Sequence, residues 1–391
     1  ESCSLTSSTS LLMPTPSVTL SEAWLTSGHS AALLVEVVGT ATASLVLNGC
    51  PRFGSKGLMA LVAPMPPPSP LSTVLTLQLS NCDLDDSAIE ALALACIRQA
   101  FPSLRSLSLD HNKLTLAVPD GGARTESEIL ASADAVLAGA PPEEAVSVGA
   151  LLGRGLASLP SLTDLNLSHN AIADSSAAAL CEALFCTNTQ DDDEAAAALP
   201  PRCPLLCLNL GTTGAGDEAA AACADALQLP RVSLRALCLS GFVGDKGAAT
   251  LFRALPHAPC LTELWLGDHV GDEAIRALME VLLHPPSCAA VKLVTLGLGG
   301  EVRGGTVLKS AFGQPGVTAL CDLPRTAASL TDLRFSGNLS MGGEGAIALL
   351  TSLQACHPRS CQVRTLHIDS CGLAKEDLPA FLEALDQVWV L

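Results

Sequence analysis

Leucines and polar residues are set along this chain in a frame that keeps returning. It is clearest at Leu162-Thr-Asp-Leu165-Asn-Leu167-Ser-His-Asn170-Ala-Ile172, where leucines stand first, fourth and sixth and an asparagine follows three places on. The alternation Leu165-Asn166-Leu167 has the period of a short strand, which puts the leucines on one face and the intervening side chains on the other. The frame recurs at Val74-Leu77-Leu79-Cys82-Leu84 and Leu104-Leu107-Leu109-Asn112-Leu114, then at Leu205-Leu208-Leu210-Thr213 and Leu234-Leu237-Leu239-Phe242. It continues at Leu261-Leu264-Leu266-His269, Leu293-Leu296-Leu298-Glu301, Leu330-Leu333-Phe335-Asn338 and Val363-Leu366-Ile368-Cys371-Leu373. A degenerate copy, Leu45-Leu47-Cys50, precedes these nine. The second leucine steps from 77 to 107, 165, 208, 237, 264, 296, 333 and 366, and the shorter steps fall at 27 to 33 residues.

Steps of that length leave room for a helix on the return. Asp85-Asp86-Ser-Ala-Ile89-Glu-Ala-Leu92-Ala-Leu94 places acids in a first turn and then an apolar stripe, and 174–184, 217–227, 272–283 and 375–385 repeat the design. No single coil can bury its own apolar faces, so the coils must stack. Stacking gives the asparagine slot a physical role, because its amide can pair backbone groups of neighbouring coils that would otherwise be buried and unpartnered. Cysteine can fill the slot as a small residue with a weak S–H donor.

This frame and its long return resemble the ribonuclease-inhibitor-like class of leucine-rich repeats, over residues 43–385. The resemblance implies an α/β solenoid of about ten coils, with parallel strands on a concave face and helices on the convex one. Relatives of that kind include ribonuclease inhibitors, Ran GTPase-activating proteins, nucleotide-binding immune receptors and structural components of cilia and flagella.

Three excesses interrupt the period, at about 115–145, 187–203 and 302–325. The first is read as an insertion with a helix over 126–137, before a delayed return helix over 146–159. The second carries the acidic loop Asp191, Asp192, Asp193 and Glu194, and the third is Gly-rich and read as irregular. Residues 1–42 lack the frame; Val18 to Val38, with Trp24, is read as a cap over the first coil, and 386–391 closes the other end through Trp389. Ala63 to Pro70 is a stiff Pro-rich connector. The sequence opens at Glu1 without Met, so a fragment or processed product is expected, and no signal or transit pattern heads it.

A net charge of −18, from 39 acidic and 21 basic residues, argues against nucleic acid or an anionic membrane as the main partner. It favours a protein partner with a basic surface. No apolar run approaches a membrane span. Sixteen cysteines without a CxxC or a paired His cluster are read as reduced core thiols and not as zinc ligands. That points to a reducing intracellular compartment, cytoplasmic or cytoskeletal/flagellar. Asn166-Leu-Ser168 and Asn338-Leu-Ser340 match a glycosylation sequon but lie within the strand–turn frame.

Motifs for catalysis are lacking. Gly297-Leu-Gly299-Gly300 misses the third glycine of a dinucleotide loop and falls in a repeat turn, and neither GxxxxGK[ST] nor HExxH is present. No catalytic residue, cofactor or metal site is expected. His111 and His169 occupy equivalent slots beside Asp110 and Asp164, which resembles a metal or acid/base cluster, but Ser-His-Asn is also an ordinary filling of this turn. The residues between the leucines line the concave face, among them Thr76, Gln78, Ser80, Ser106, Ser108, Asn166, Asn209 and Asp332. The candidate partner-binding set there is Trp265, Glu263, Asp268, Asp110, His111, Asp164, His169, Arg334, His367 and Asp369. Trp265 lies between Leu264 and Leu266, where the pleat turns it out of the core.

The expected function is a non-catalytic scaffold or adaptor within a larger multi-protein complex; the insertions and small-residue coils lean toward the structural, ciliary or flagellar relatives. The alternatives are a GTPase-activating protein of the Ran type, whose acidic tail has no counterpart at Trp389-Val-Leu391, and an inhibitor of a basic nuclease.

Overall fold

The computed structural model describes residues 17–20, 42–63, 70–117, 147–185, 204–267, 269–284, 287, 290–299, 312–326, 329–356 and 362–389. Eleven strands form one parallel sheet in strict chain order. They are β1 (Ser17–Leu20), β2 (Ser44–Leu47), β3 (Thr76–Gln78), β4 (Ser106–Ser108), β5 (Asp164–Asn166) and β6 (Cys207–Asn209). Then come β7 (Ala236–Leu239), β8 (Glu263–Leu266), β9 (Thr295–Leu298), β10 (Asp332–Arg334) and β11 (Thr365–His367). From β2 onward the second leucine of each frame sits opposite its counterpart: Leu45, Leu77, Leu107, Leu165, Leu208, Leu237, Leu264, Leu296, Leu333 and Leu366. A slip of one residue would turn every leucine to solvent, so the pattern fixes the register.

The degenerate frame at Leu45 thus makes a full strand. So does a stretch with no frame at all, since Val18 of β1 pairs with Leu45. The remainder of the segment read as a cap, Trp24 included, lies outside the described residues, as do the helix expected over 126–137 and the loop Asp191–Glu194.

The chain returns through helices that cover the other side: α1 (Gly54–Leu61), α2 (Asp86–Ile97), α3 (Val148–Ala157), α4 (Asp174–Phe185), α5 (Asp217–Leu227) and α6 (Asp245–Ala254). They continue as α7 (Asp272–Leu283), α8 (Gln314–Leu320), α9 (Leu323–Thr326), α10 (Gly342–Cys356) and α11 (Leu378–Trp389). Helix α8 corrects the reading of 302–325 as irregular: Gln314–Leu320 is the return of the β9 coil, with Gly316, Val317 and Leu320 buried. The side chain of Trp389 is not among those described. Between sheet and helices runs one continuous core, with Leu77, Leu107, Leu237, Leu264, Leu296 and Leu333 wholly buried. Burying each such leucine contributes about 1.5–3 kcal/mol.

Two polar ladders tie the coils together. In the turn slot, Asn170 Nδ2 donates to Leu167 O in its own coil and at 3.0 Å to Leu109 O in the preceding one, while its Oδ1 accepts from Asn112 N and Leu114 N. Asn112 repeats this one coil back, donating to Leu79 O and accepting from Cys82 N and Leu84 N. The thiols take the expected reduced version of the role, Cys82 donating to Leu47 O and Cys371 to Phe335 O. Burial pushes the Cys82 thiol up to about 12 and the Cys371 thiol to about 11, so both remain protonated donors.

The second ladder runs along the helix starts. From α4 to α7 the first-turn aspartate accepts from the opening amides of the next helix: Asp174 from Gly216, Glu218 and Ala219, and Asp217 from Gly244 and Gly247. Asp245 serves Gly271, Glu273 and Ala274, and Asp272 serves Gly313 and Gly316. The caps themselves are glycines without a side chain to offer, so the preceding coil supplies what an N-cap residue ordinarily would. At Gly271 the approach is close, since a Cβ there would lie 2.7 Å from an Asp245 oxygen and disturb the carboxylate that serves the cap.

In the β7 and β8 coils the frame departs from expectation. Counting places Phe242 in the turn slot, yet it is 62% exposed while Val243 is buried, and likewise His269 is exposed beside buried Val270. These turns are one residue shorter than those after β3 to β6, and the slot residue is the one lost. The backbone closes the gap, Gly241 lying so near the preceding turn that a Cβ would meet Thr213 O at 2.7 Å. Phe242 and His269 are thrown outward and lean on each other with ring centroids 5.4 Å apart.

Candidate interaction surface on the concave face

Strand pairing aligns the outward side chains into rows. The middle row reads Val46, Gln78, Ser108, Asn166, Asn209, Cys238, Trp265, Gly297, Arg334 and His367. The candidate residues fall into two groups on this face, one on β4–β5 and one on β8–β11, separated by the small side chains of β6 and β7. They do not converge on one point. Asp268 and the acidic loop Asp191, Asp192, Asp193 and Glu194 lie outside the described residues.

In the first group Asp110 is the centre. Its Oδ1 accepts from Ser80 Oγ and Ser108 Oγ, each at 2.5 Å, and its Oδ2 stands 2.9 Å from His111 Nδ1. Asn166 Nδ2 donates to the Ser108 hydroxyl, and Asp164 accepts from Thr163 Oγ1. His111 and His169 both turn the chain with φ near +57°, a conformation histidine tolerates better than most residues, and their rings stack 3.9 Å apart. Serine and histidine here share a carboxylate. A nucleophilic relay needs the serine to donate to the imidazole, so this geometry makes a rigid polar patch instead. Among the described residues no group of three or more His, Cys, Asp or Glu is placed to hold a metal ion.

Partial burial of Asp110 opposes its ionisation, but the hydrogen bonds from Ser108, Ser80 and His111 outweigh it and hold its carboxyl below the ordinary 3.8. A depressed folded value means stability that is fully present above that ordinary value and lost as pH falls through the folded one. Asp110→Asn should therefore narrow the difference between urea midpoints at pH 7 and pH 3. An undiminished difference would show that other carboxylates carry the whole acid response.

The second group is built around Trp265, half-buried on β8 beside exposed Glu263. Its neighbour across the ladder is Gly297, and a Cβ there would lie 2.6 Å from Trp265 Cε3, so the indole lies over that glycine. From the next strand Arg334 brings its guanidinium carbon to 4.7 Å from the ring centroid. Asp332, two residues back on the same face, holds Arg334 through Nε at 2.9 Å and Nη2 at 3.3 Å. Farther along, Asp369 accepts from Ser336 Oγ. Trp265 is thus both partly exposed and packed on its neighbouring coils.

Gly297 escapes the sequence reading as a site residue. Its signal is a glycine inside a strand, which marks a close approach. Also missed are Arg105, Arg235 and Arg364, which stand exposed in equivalent places just before β4, β7 and β11. Burial first, then the hydrogen bond to Asp164, raises the Cys207 thiol to about 11, which keeps it protonated near neutral pH. Among the described residues no helix is long and apolar enough to cross a membrane.

The family profile described as Leucine Rich repeat matches residues 71–93 and 158–181. The ribonuclease inhibitor of Sus scrofa is 29% identical over 236 residues, which cover 56% of this chain and 50% of that protein, so the chain spans about half the length of this curated relative. Among solved structures, a chain of the yeast Rad7 and Elc1 complex aligns over 90% of this chain and 69% of its own, with 15% identity and a TM-score of 0.47. The tropomodulin C-terminal domain of Caenorhabditis elegans aligns over 44% of this chain and 93% of its own, with 12% identity and a TM-score of 0.31.

Proposed function

We propose that this chain, which is a leucine-rich repeat protein of the ribonuclease-inhibitor-like class, is a non-catalytic protein-binding scaffold that holds a basic partner on its concave face. The observation that supports this best is the parallel sheet itself. It presents registered rows of fixed polar side chains that need little ordering on contact, and preorganisation of that kind lowers the cost of association. The net charge of −18 draws a basic surface toward it. In this reading the protein is a standing component of a larger assembly, such as a cytoskeletal or flagellar one, and Trp265, Glu263 and Asp110 are contact residues.

Gradient sedimentation of a gently prepared cell lysate tests this. The protein should travel in a large complex whose other members co-sediment with it. Migration near 39.9 kDa would count against a standing structural role. A second reading follows from the likeness to the ribonuclease inhibitor: stoichiometric inhibition of a basic ribonuclease. Adding the protein to a pancreatic-type ribonuclease should then abolish cleavage, and unchanged turnover removes that reading for the enzyme used.

A further inference from the structure

We propose that the outer face of Trp265 is an arginine-binding site that the free protein fills with its own Arg334, and that an arginine of a basic partner takes Arg334's place. The inference rests on the concave-face reading above and names the side chain that reading requires.

Three parts of such a site are in place. The indole supplies a flat π face, and it packs closely on Gly297, which has no side chain to displace it. A guanidinium already rests on that face at 4.7 Å. The Asp332 carboxylate receives the guanidinium edge at two points, the fork geometry that arginine meets and lysine does not. Glu263 stands exposed two residues before Trp265 on the same strand face and adds negative charge at the rim.

Arg334 holds the site by tether, since Asp332 and Arg334 belong to the same short strand and Arg334 reaches the ring across one glycine. Its occupancy is therefore a competing intramolecular contact. Exchanging one guanidinium for another yields little net free energy, so the tether acts as a threshold that weak or solitary cations fail to pass. A partner carrying several arginines passes it through the surrounding carboxylates.

The test uses the full chain with hexa-arginine and hexa-lysine peptides as probes, affinity being read by calorimetry at low salt. Indole emission of the chain and of its Trp265→Phe variant, taken as a difference, reports the ring itself. Arg334→Gln should bind hexa-arginine about two- to fivefold more tightly, the range expected of one cation–π contact at an exposed ring. The gain should be smaller for hexa-lysine, and the Trp265 emission should change on binding. Equal or weaker binding by Arg334→Gln, or binding without an emission change, would overturn the proposal. If Arg334→Gln loses its folded circular dichroism, Arg334→Met keeps the stem and removes the charge, with the same expectation. The two readings part cleanly: if hexa-arginine binds chain and variant equally but Glu263→Lys weakens it, the docking surface stands and the arginine site falls. If neither peptide binds any form, both fall.

Discussion

Asn170→Ala is expected to lower the unfolding free energy by about 3–5 kcal/mol, because one side chain bonds five backbone groups, Ser168 O among them. Its Nδ2 donates to Leu109 O and Leu167 O, and its Oδ1 accepts from Asn112 N and Leu114 N. Alanine takes this partner from Leu167 O and from the Asn112 and Leu114 amides in a site that is only 6% exposed, while Leu109 O keeps its bond from Asn112 Nδ2. Each buried orphan costs about 1–3 kcal/mol, and water entering the vacated space offsets part of the sum. Asn170→Cys should cost less, since Cys82 and Cys371 fill the same slot and still donate backward. Urea unfolding followed by circular dichroism measures the loss, and hydrogen exchange at the Asn112 and Leu114 amides locates it. A loss below about 1 kcal/mol would mean that the slot is a packing position and not a hydrogen-bonding one.

Gly153→Val should cost about 3 kcal/mol through overpacking. Helix α3 is wedged between α2 and α4. A Cβ on Gly153 would lie 2.7 Å from both Leu180 O and Ala183 Cβ, and one on Gly155 would lie 2.7 Å from Ala93 O. Replacing glycine within a helix ordinarily gains up to about 1 kcal/mol. Here steric crowding wins, because the obstacle is backbone that moves only if a whole coil moves. Gly153→Ala should still be a net loss, though smaller. A urea midpoint that stays put or rises in either variant would show that α3 can lift away from α4 freely.

The strands and the slot are legible in the sequence because both are local. A leucine two places from another, with asparagine or cysteine three later, states strand, facing and turn within nine residues. What stays unread depends on distance. The aspartates of the helix starts look like simple dipole partners, and nothing beside Asp174 in sequence says that its acceptors serve Gly216 and Ala219 in the next coil. Phe242 is misplaced by counting from Leu239, which assumes a turn of constant length, and the loss of one residue shows only against the turns on either side. Strand β1 carries no frame; its pairing with β2 is what makes it a strand. On the concave face, Trp265 is found from the pleat alone, but its cover by Arg334 requires knowing which residue stands between them.

The two ladders also differ in direction. Slot residues reach back: Asn112, Asn170, Asn338, Cys82 and Cys371 each bond to the coil before their own. First-turn aspartates reach forward to the coil after. Through β6, β7 and β8 the backward link lapses, for Thr213 bonds within its own coil and Phe242 and His269 face solvent, while the forward link continues unbroken from Asp174 to Asp272. Along the turn edge of this stretch the backbone alone makes the link, through bonds such as Thr212 N to Ser240 O and Phe242 N to Ala215 O. Side chains thus fasten the turn edge at both ends of the array and backbone fastens it in the middle, so a substitution that orphans a slot amide in the outer coils has no such target from β6 to β8.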